Sequence, residues 1–385
     1  SACLVGSEMC IRDRHKTNYI KRKMKNKQNE YKNRITDTNH ITMTPFLSQK
    51  IKLLSLISII LVLYIHSGFH DYPNEIQGMP FNFKLQDFIS GKIGRCAVPL
   101  FYAISGYLFF LNLNNKNILW AKIKKRIMTL VVPYIIAALF FPCFYIIVSL
   151  IPSTARFFNS ESISTIFNLP VWNIFQSIFY DPLAFHLWFL RDLIIIVALS
   201  PFLYYIKNSS KKGEKILLIA IFLLNLCNIK YIPVYAMFWF LAGDIFLIKL
   251  ENIKNIRYYI AFLLISTIEL IYPSPRWSYF QIPIIALGVI SIWNIYNRLV
   301  TNSFILKKHK WLYIACQFTF FIYLFHEPTL NIIRKLLIII LGHSSIGFAV
   351  NYLISPWIFT LLFIIIGFYF KKNLPKLYSI CVGGR

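Results

Sequence analysis

The sequence is poor in acidic residues and in charge generally. It contains 15 Asp and Glu against 41 Lys and Arg, and charged residues make up 15% of the chain, where soluble proteins average roughly 25%. Four long stretches contain no Asp, Glu, Lys or Arg at all: 96–115, 127–155, 277–297 and 336–370. About 20 apolar residues cross the hydrocarbon core of a membrane, so these stretches predict transmembrane helices and exclude a soluble globular fold.

Cysteine motifs are also lacking. The seven cysteines form no CxxC pair and no Cys/His spacing typical of a metal site. Cys96, Cys143, Cys227 and Cys316 fall in apolar stretches, where cysteine usually serves as a small apolar side chain. We therefore predict neither a disulfide framework nor a metal site.

The apolar pattern predicts an all-α fold, a polytopic membrane helix bundle with about ten transmembrane helices. No internal repeat of fixed period interrupts it, and no soluble domain follows the spans. Residues 70–94 and 151–186 are long connections on the outer side, and the second has the apolar spacing of an interfacial helix over 163–178. The predicted spans lie near 53–69, 95–112, 127–150, 187–206, 215–229, 232–249, 257–273, 279–297, 311–327 and 346–370.

The formal net charge of +26 raises the alternative of a nucleic-acid-binding protein, but its placement argues against it. With a cytoplasmic N-terminus, most of the 41 Lys and Arg lie in or beside cytoplasmic segments, as the positive-inside rule requires. These residues would set the topology and contact anionic lipid headgroups. We expect cytoplasmic N- and C-termini, membrane lipid as a partner and no nucleic acid.

The N-terminal region is expected to lie outside the fold. Residues 4–14, LVGSEMCIRDR, resemble a translated sequencing adapter, so 1–14 are predicted to be an artefact. Residues 15–50 are predicted to be a disordered basic cytoplasmic leader, with the native start at Met24 or Met43. No cleavable signal peptide is expected, because the first apolar segment begins past residue 50 and is typical of a signal anchor. The membrane domain is assigned to 51–372 and a cytoplasmic tail to 373–385.

Ionisable residues inside the spans are the first functional candidates, because each costs at least about 2.5 kcal/mol at mid-bilayer unless it is paired or hydrated. Asp244 lies near the inner end of its span. The other seven share a similar depth in the outer half of the membrane: His66, Arg95, Arg191, Asp192, Glu269, His326 and Glu327.

Each candidate also has a structural interpretation. A histidine near a helix end is often a hydrogen-bonded interfacial residue, and Arg95 could extend its side chain to the membrane surface. Glu269 and Asp244 suit helix packing as well as a substrate pathway. His70 and His186 lie at loop boundaries, and we expect both to be solvated.

Arg191 and Asp192 are adjacent in the chain, and adjacent residues do not share a helix face. Each is therefore expected to contact a neighbouring span, in a structural or a ligand-binding role, rather than its neighbour in sequence.

Four sequence blocks occur in a fixed order: ISIILVLYIHSG, which contains His66; GRCAVPLFYAISGYLFF, which contains Arg95; HLWFLRDL at 186–193; and FIYLFHEP at 321–328. Together they resemble the acyltransferase-3 family of integral membrane O-acyltransferases that modify bacterial surface sugars. The resemblance covers about residues 50–370, and VPLF followed by SGY and an aromatic run is its most specific part.

The resemblance implies roles for individual positions. His66 matches the family's essential histidine in the first span, and Arg95 matches the arginine before the VPLF block. The family often has another arginine eleven residues before that histidine, but this chain has Ser55 there, with Lys52 nearby. How the phosphates of the donor are bound is therefore open, with Lys122, Lys124, Lys125 and Arg126 as candidates.

Acyl transfer from a thioester to a sugar hydroxyl needs a base and a stabiliser of the tetrahedral oxyanion. His66 is expected to be the base or to carry the acyl group transiently. Arg95 would stabilise the oxyanion or orient the donor, and His326 would place the acceptor. Arg191 and Asp192 would shape the acceptor site, and further substrate-binding candidates are Glu269 and Glu327.

The resemblance implies acyl-CoA, most simply acetyl-CoA, as a co-substrate rather than a permanently bound cofactor. It also implies a glycan acceptor, a surface polysaccharide or its lipid-linked precursor, and the inner membrane of a bacterium. The main alternative is a transporter or flippase for a glycan or a small anionic solute, which would use intramembrane ions equally well. A polysaccharide polymerase is disfavoured because the outer connections contain few arginines.

Overall fold

A computed structural model describes residues 43–69, 78–151, 176, 182–210, 212–226, 232–247, 249–250, 253–272, 281–300 and 305–384. All regular structure within these ranges is helical, which confirms the all-α class. The predicted artefact at 1–14, the leader up to residue 42, His70 and nearly all of the predicted interfacial helix at 163–178 lie outside the described residues.

The α-helices are numbered in chain order over the described residues. They are α1 Pro45–His66, α2 Pro80–Gln86, α3 Ala97–Phe110, α4 Lys116–Arg126, α5 Val132–Ser149, α6 Trp188–Asn208, α7 Gly213–Leu226, α8 Val234–Phe246, α9 Ile256–Ile271, α10 Gln281–Leu299, α11 Ile305–Lys308, α12 Lys310–Gln317, α13 Thr319–Phe325, α14 Thr329–Leu341, α15 Ser345–Asn373 and α16 Pro375–Cys381.

Each of the ten predicted spans coincides with one helix or with two consecutive helices, which supports the polytopic bundle. Within the described ranges, six helical segments are long and apolar enough to cross a membrane, and α8 is apolar but shorter. The six are Pro45–His66, Pro80–Phe110, Lys116–Ser149, Phe185–Asn208, Gln281–Leu299 and Ser345–Asn373.

Helix α1 begins at Pro45, inside the stretch expected to be a leader. The Thr44 side chain accepts a hydrogen bond from the Leu47 backbone N–H at 3.0 Å, and proline at the first helical position has no N–H to leave unsatisfied. The helix ends at His66, where the Ser67 N–H donates to the carbonyl of Leu63 at 2.8 Å. α1 packs against α3, α10, α13 and α15 and so lies at the centre of the bundle.

Helices α3 and α8 cross in close backbone contact at two glycines. A Cβ added at Gly106 would lie 1.8 Å from the Phe240 carbonyl oxygen, and one at Gly243 would lie 1.9 Å from the carbonyl oxygen of Ala103. Such a crossing requires residues without side chains, as is common between membrane helices. The crossing holds α3 in position, and Arg95 lies in the turn directly before the N-terminus of that helix.

The connection before α3 is helical from Pro80 onward and joins α2 to α3 without a loop. A π-helical turn, Asp87–Ile93, and a 3-10 turn, Gly94–Cys96, lie between the two helices. The Ser90 hydroxyl donates to the Tyr64 carbonyl at 2.8 Å, so this segment packs against the last turn of α1. Arg95 is thereby placed beside the helix end that carries His66.

The C-terminal third of the chain differs from expectation in two places. The span predicted at 311–327 breaks at Phe318 into α12 and α13, and the following stretch forms the amphipathic helix α14 instead of a connection. The predicted tail folds back as α16, where Tyr378 is 3% exposed and its ring centroid lies 5.7 Å from that of Phe321.

Candidate active site

The bundle has a distinct set of polar residues at each end. We call the end that holds His66, His186 and His326 the histidine end. The opposite end, which holds Lys50, Lys122 and Lys207, is the basic end. His66 and Lys50 are 16 residues apart on α1, which corresponds to about 24 Å along the helix axis.

Three imidazole rings lie in a row at the histidine end. The ring centroids of His66 and His326 are 4.9 Å apart, and those of His326 and His186 are 4.6 Å apart. The side chain of His66 is 18% exposed, whereas His326 and His186 are buried. His66 is therefore the most exposed member of the row.

Backbone carbonyls at the end of α13 orient the two buried histidines. His326 Nδ1 donates to the Tyr323 carbonyl at 2.7 Å, and His186 Nε2 donates to the Leu324 carbonyl at 3.2 Å. Because a carbonyl oxygen only accepts, each contact fixes which ring nitrogen carries the hydrogen. Within the described residues, the other ring nitrogen of each has no hydrogen-bond partner.

Glu327 supplies the carboxylate of this end. Its Oε1 lies 3.9 Å from Nδ1 of His66, and its side chain is 9% exposed. The two residues come from opposite parts of the sequence, the end of α1 and the turn between α13 and α14. A carboxylate at this distance stabilises a protonated imidazole and favours one ring orientation.

Arg95 belongs to a second polar group that joins three segments. Its Nη1 donates to Gln281 Oε1 at 3.2 Å, and Gln281 Nε2 donates to Glu269 Oε1 at 2.8 Å. Lys92 Nζ lies 3.4 Å from the other Glu269 oxygen and 3.8 Å from Asp87. Glu269 therefore lies within an internal network that holds Arg95, in agreement with its packing interpretation.

Arg191 and Asp192 pair with each other, which was not expected of adjacent residues, while Asp192 also interacts with the Tyr102 side chain of α3, as its predicted contact with a neighbouring span requires. Arg191 Nε and Nη2 both donate to Asp192 Oδ1, at 3.0 and 2.8 Å. The long arginine side chain bends back because the adjacent carboxylate is the nearest counter-charge in a medium of low dielectric constant. Arg191 and Asp192 are the fourth and fifth residues of α6, close to its N-terminal end.

The prediction of a solvated His186 was also wrong, because the residue is 3% exposed and its ring contacts His326. It lies in the 3-10 turn Phe185–Leu187, which directly precedes α6 in the chain. A position directly before a predicted span gives no sequence signal that separates a surface histidine from a buried one.

Sequence reasoning missed Arg334 altogether. It lies on α14, is 5% exposed, and donates to the carbonyl oxygens of Gly68 at 2.7 Å and His66 at 3.3 Å. The helical spacing of the buried residues Leu330, Arg334 and Ile338 was the available signal for α14.

The basic end is held by ion pairs and by carbonyl contacts. Lys207 contacts Asp244 directly and lies 3.8 Å from Glu214, so Asp244 ties α6 to α8. Lys122 donates to the Phe109 carbonyl at 2.6 Å and to that of Leu111, and so caps the end of α3. Lys50 is fully buried, with Nζ 2.8 Å from Asn297 Oδ1.

The exposed cations of the basic end include residues of α4 and of α1. Lys124 and Lys125 are both exposed, and Lys52 is exposed near Tyr313, with Nζ 5.6 Å from its ring centroid. Exposed lysine side chains of this kind have the charge needed to bind phosphate groups. Within the described ranges, no group of three or more His, Cys, Asp and Glu residues could hold a metal ion.

Comparison with known proteins identifies the family of the chain. A family profile described as an acyltransferase domain matches residues 49–373. The succinoglycan biosynthesis protein ExoH of Rhizobium meliloti (strain 1021) is 24% identical over 364 residues, which cover 88% of this chain and 92% of that protein. No solved structure matches the chain. The match spans all the helices that carry the site, and the chain belongs to the acyltransferase-3 family of membrane acyltransferases.

Proposed function

We propose that the protein transfers an acetyl group from acetyl-CoA to a sugar hydroxyl of a cell-surface polysaccharide or of its lipid-linked precursor. The observation that carries the proposal is the partly exposed His66 imidazole beside the Glu327 carboxylate at one end of a membrane bundle. The family supports acyl transfer, and the name of the relative, a succinoglycan biosynthesis protein, supports a polysaccharide acceptor.

His66 would act as the general base. Glu327 lies on the Nδ1 side of the ring, so Nε2 would take the proton from the acceptor hydroxyl as its oxygen attacks the thioester carbonyl. Glu327 would stabilise the resulting imidazolium. When the tetrahedral intermediate collapses, the C–S bond breaks and the proton returns from His66 to the CoA thiolate, which leaves an O-acetyl ester.

Arg95 would stabilise the oxyanion of the tetrahedral intermediate or orient the thioester. Its guanidinium is permanently charged and is held by Gln281, so little reorganisation is needed when the negative charge develops. His326 is fully buried, and we propose that it supports the His66 ring rather than contacting the acceptor directly. The Arg191–Asp192 pair would contribute to the shape of the acceptor site.

The donor would enter from the basic end and the acceptor from the histidine end. We propose that the protein lies in a bacterial inner membrane, with the basic end in the cytoplasm, where acetyl-CoA is made. Because Lys122 already caps α3, the exposed Lys124 and Lys125 are the better candidates for the donor phosphates. No permanently bound cofactor is needed for this chemistry.

The test is acetyl transfer by membranes that contain the full chain, supplied with radiolabelled acetyl-CoA and a glycan extract. We expect label in glycan with the wild type and a loss of at least roughly 100-fold with His66→Ala. His343→Ala, which changes an exposed histidine at the same end, is the matched control and should retain activity.

Equal labelling by wild type and His66→Ala would remove His66 from the mechanism. Glycan movement across the membrane without label transfer would favour a flippase instead.

A further inference from the structure

Arg334 binds the end of the helix that carries His66. Its guanidinium donates to the carbonyl oxygens of His66 and Gly68, at 3.3 and 2.7 Å, although the two segments are more than 260 residues apart in sequence. The residue is 5% exposed, so these contacts lie inside the protein rather than at its surface.

The arginine is itself held in place by its neighbours. Its guanidinium carbon lies 4.8 Å from the ring centroid of Phe69, within range of a cation–π interaction. Asn351 of α15 donates to the Arg334 backbone carbonyl at 2.9 Å. Arg334 thus connects the end of α1 to α14 and α15.

The physical effect of this contact follows from helix chemistry. The last carbonyl groups of a helix have no partner within the helix, and they carry its partial negative charge. Arg334 donates to one of them, the carbonyl of His66, and to the carbonyl of Gly68 just beyond the helix end, and a buried cation is a favourable partner for both. It also determines where the helix ends, and therefore where the Cα atom of its last residue, His66, is located.

We propose that Arg334 is a positioning residue for His66: it places the imidazole by holding the carbonyl end of α1. This inference rests on the proposed role of His66 as the base. Because Arg334 is buried, it is expected to contact neither substrate. Its effect on the reaction comes from geometry, since a misplacement of about 1 Å at a reacting group can cost roughly 100-fold in rate.

The experiment compares Arg334→Met, Arg334→Lys and the adjacent control Lys335→Met in the full chain in membranes. For each variant we would measure kcat, the KM values for acetyl-CoA and glycan, and thermal unfolding. The rate at which diethyl pyrocarbonate modifies His66 would also be measured, with the modified residue identified by mass spectrometry. Lys335 is the neighbouring cation, less deeply buried than Arg334.

We expect Arg334→Met to lower kcat by roughly 10- to 100-fold with both KM values unchanged, and to alter the reaction rate of His66. Arg334→Lys should recover part of the loss, because an ammonium group can donate to one of the two carbonyls. Lys335→Met should behave like the wild type in every readout.

Wild-type kcat and wild-type His66 reactivity in folded Arg334→Met would overturn the inference. So would a loss of activity explained by loss of folded protein, with His66 reactivity unchanged in the folded fraction. An active His66→Ala variant would contradict the proposed role of His66 as the base. An inactive His66→Ala variant together with a fully active Arg334→Met variant would contradict only the positioning role of Arg334. The reactivity measurement tests the geometry even if no glycan is labelled.

Discussion

The contacts of Lys207 at the basic end and the contact of His66 with Glu327 at the histidine end differ in how closely their ionisable groups approach. At the basic end, Lys207 contacts the carboxylates of Asp244 and Glu214, and Lys122 donates to the carbonyls that end α3. At the histidine end, the carboxylate of Glu327 lies 3.9 Å from His66, too far for a direct hydrogen bond. The Lys207–Asp244 pair joins two helices, whereas the proposed role of His66 as a base requires a contact loose enough for the imidazole to gain and lose a proton.

The comparison predicts that mutations at the basic end affect stability. Asp244→Asn should lower the free energy of unfolding by about 3–5 kcal/mol, because the ammonium group of Lys207 loses its buried partner. The kcat of the protein that remains folded should not change. Thermal unfolding in detergent and activity per folded molecule would measure the two effects.

A double variant sharpens this prediction. Lys207→Met combined with Asp244→Leu removes both charges and should regain most of the lost stability. If Asp244→Asn is as stable as the wild type but inactive, the two ends do not differ as described.

At the histidine end we expect mutations to lower activity rather than stability. Glu327→Gln keeps the shape of the side chain but removes its charge, and we expect kcat to fall roughly 100-fold with little change in unfolding temperature. The matched variant is Glu214→Gln, which removes a carboxylate 3.8 Å from Lys207 at the basic end and should leave kcat unchanged. Equal effects of the two variants on kcat would contradict the comparison.

His186 tests whether the buried histidines support the exposed one. His186→Ala removes the hydrogen bond to the Leu324 carbonyl and leaves a cavity beside His326, so we expect a loss of roughly 2 kcal/mol in stability. His186→Gln can place an amide nitrogen near the position of Nε2 and should recover much of it. The exposed-site control His343→Ala should change stability by less than about 0.5 kcal/mol.

The smallest effect is expected at Lys52. Its exposed ammonium group lies near the ring of Tyr313, and Lys52→Ala should cost about 0.5 kcal/mol of stability. A KM for acetyl-CoA that rises by about tenfold or more would show instead that Lys52 binds the donor, since that corresponds to roughly 1.4 kcal/mol of binding energy.

The helices were largely predictable because their signal is local. Long apolar runs, four of them without any charged residue, predicted the ten spans, and each span coincides with one or two of the described helices. The start of α1 was missed because six residues of a basic stretch, including the buried Lys50, join the helix. Helix α14 was not among the predicted spans, and its buried face, Leu330, Arg334 and Ile338, includes a charged residue.

The site could be predicted only in part. His66, Arg95, His326 and Glu327 stood out because an ionisable group in a span is costly. The structure brings His66, His326 and Glu327 together and places Arg95 in the adjacent segment. The roles of these residues remain predictions until variants are assayed.

The sequence by itself determined that this chain is a helical membrane protein of the acyltransferase-3 family, because membrane length, charge and motif order are properties of consecutive residues. The tertiary structure alone decided that His186 is buried, that Arg191 pairs with Asp192, and that Arg334 holds the end of α1. Each of these contacts depends on how helices distant in sequence are packed, or on how a side chain turns within them. No local pattern of residues encodes that packing.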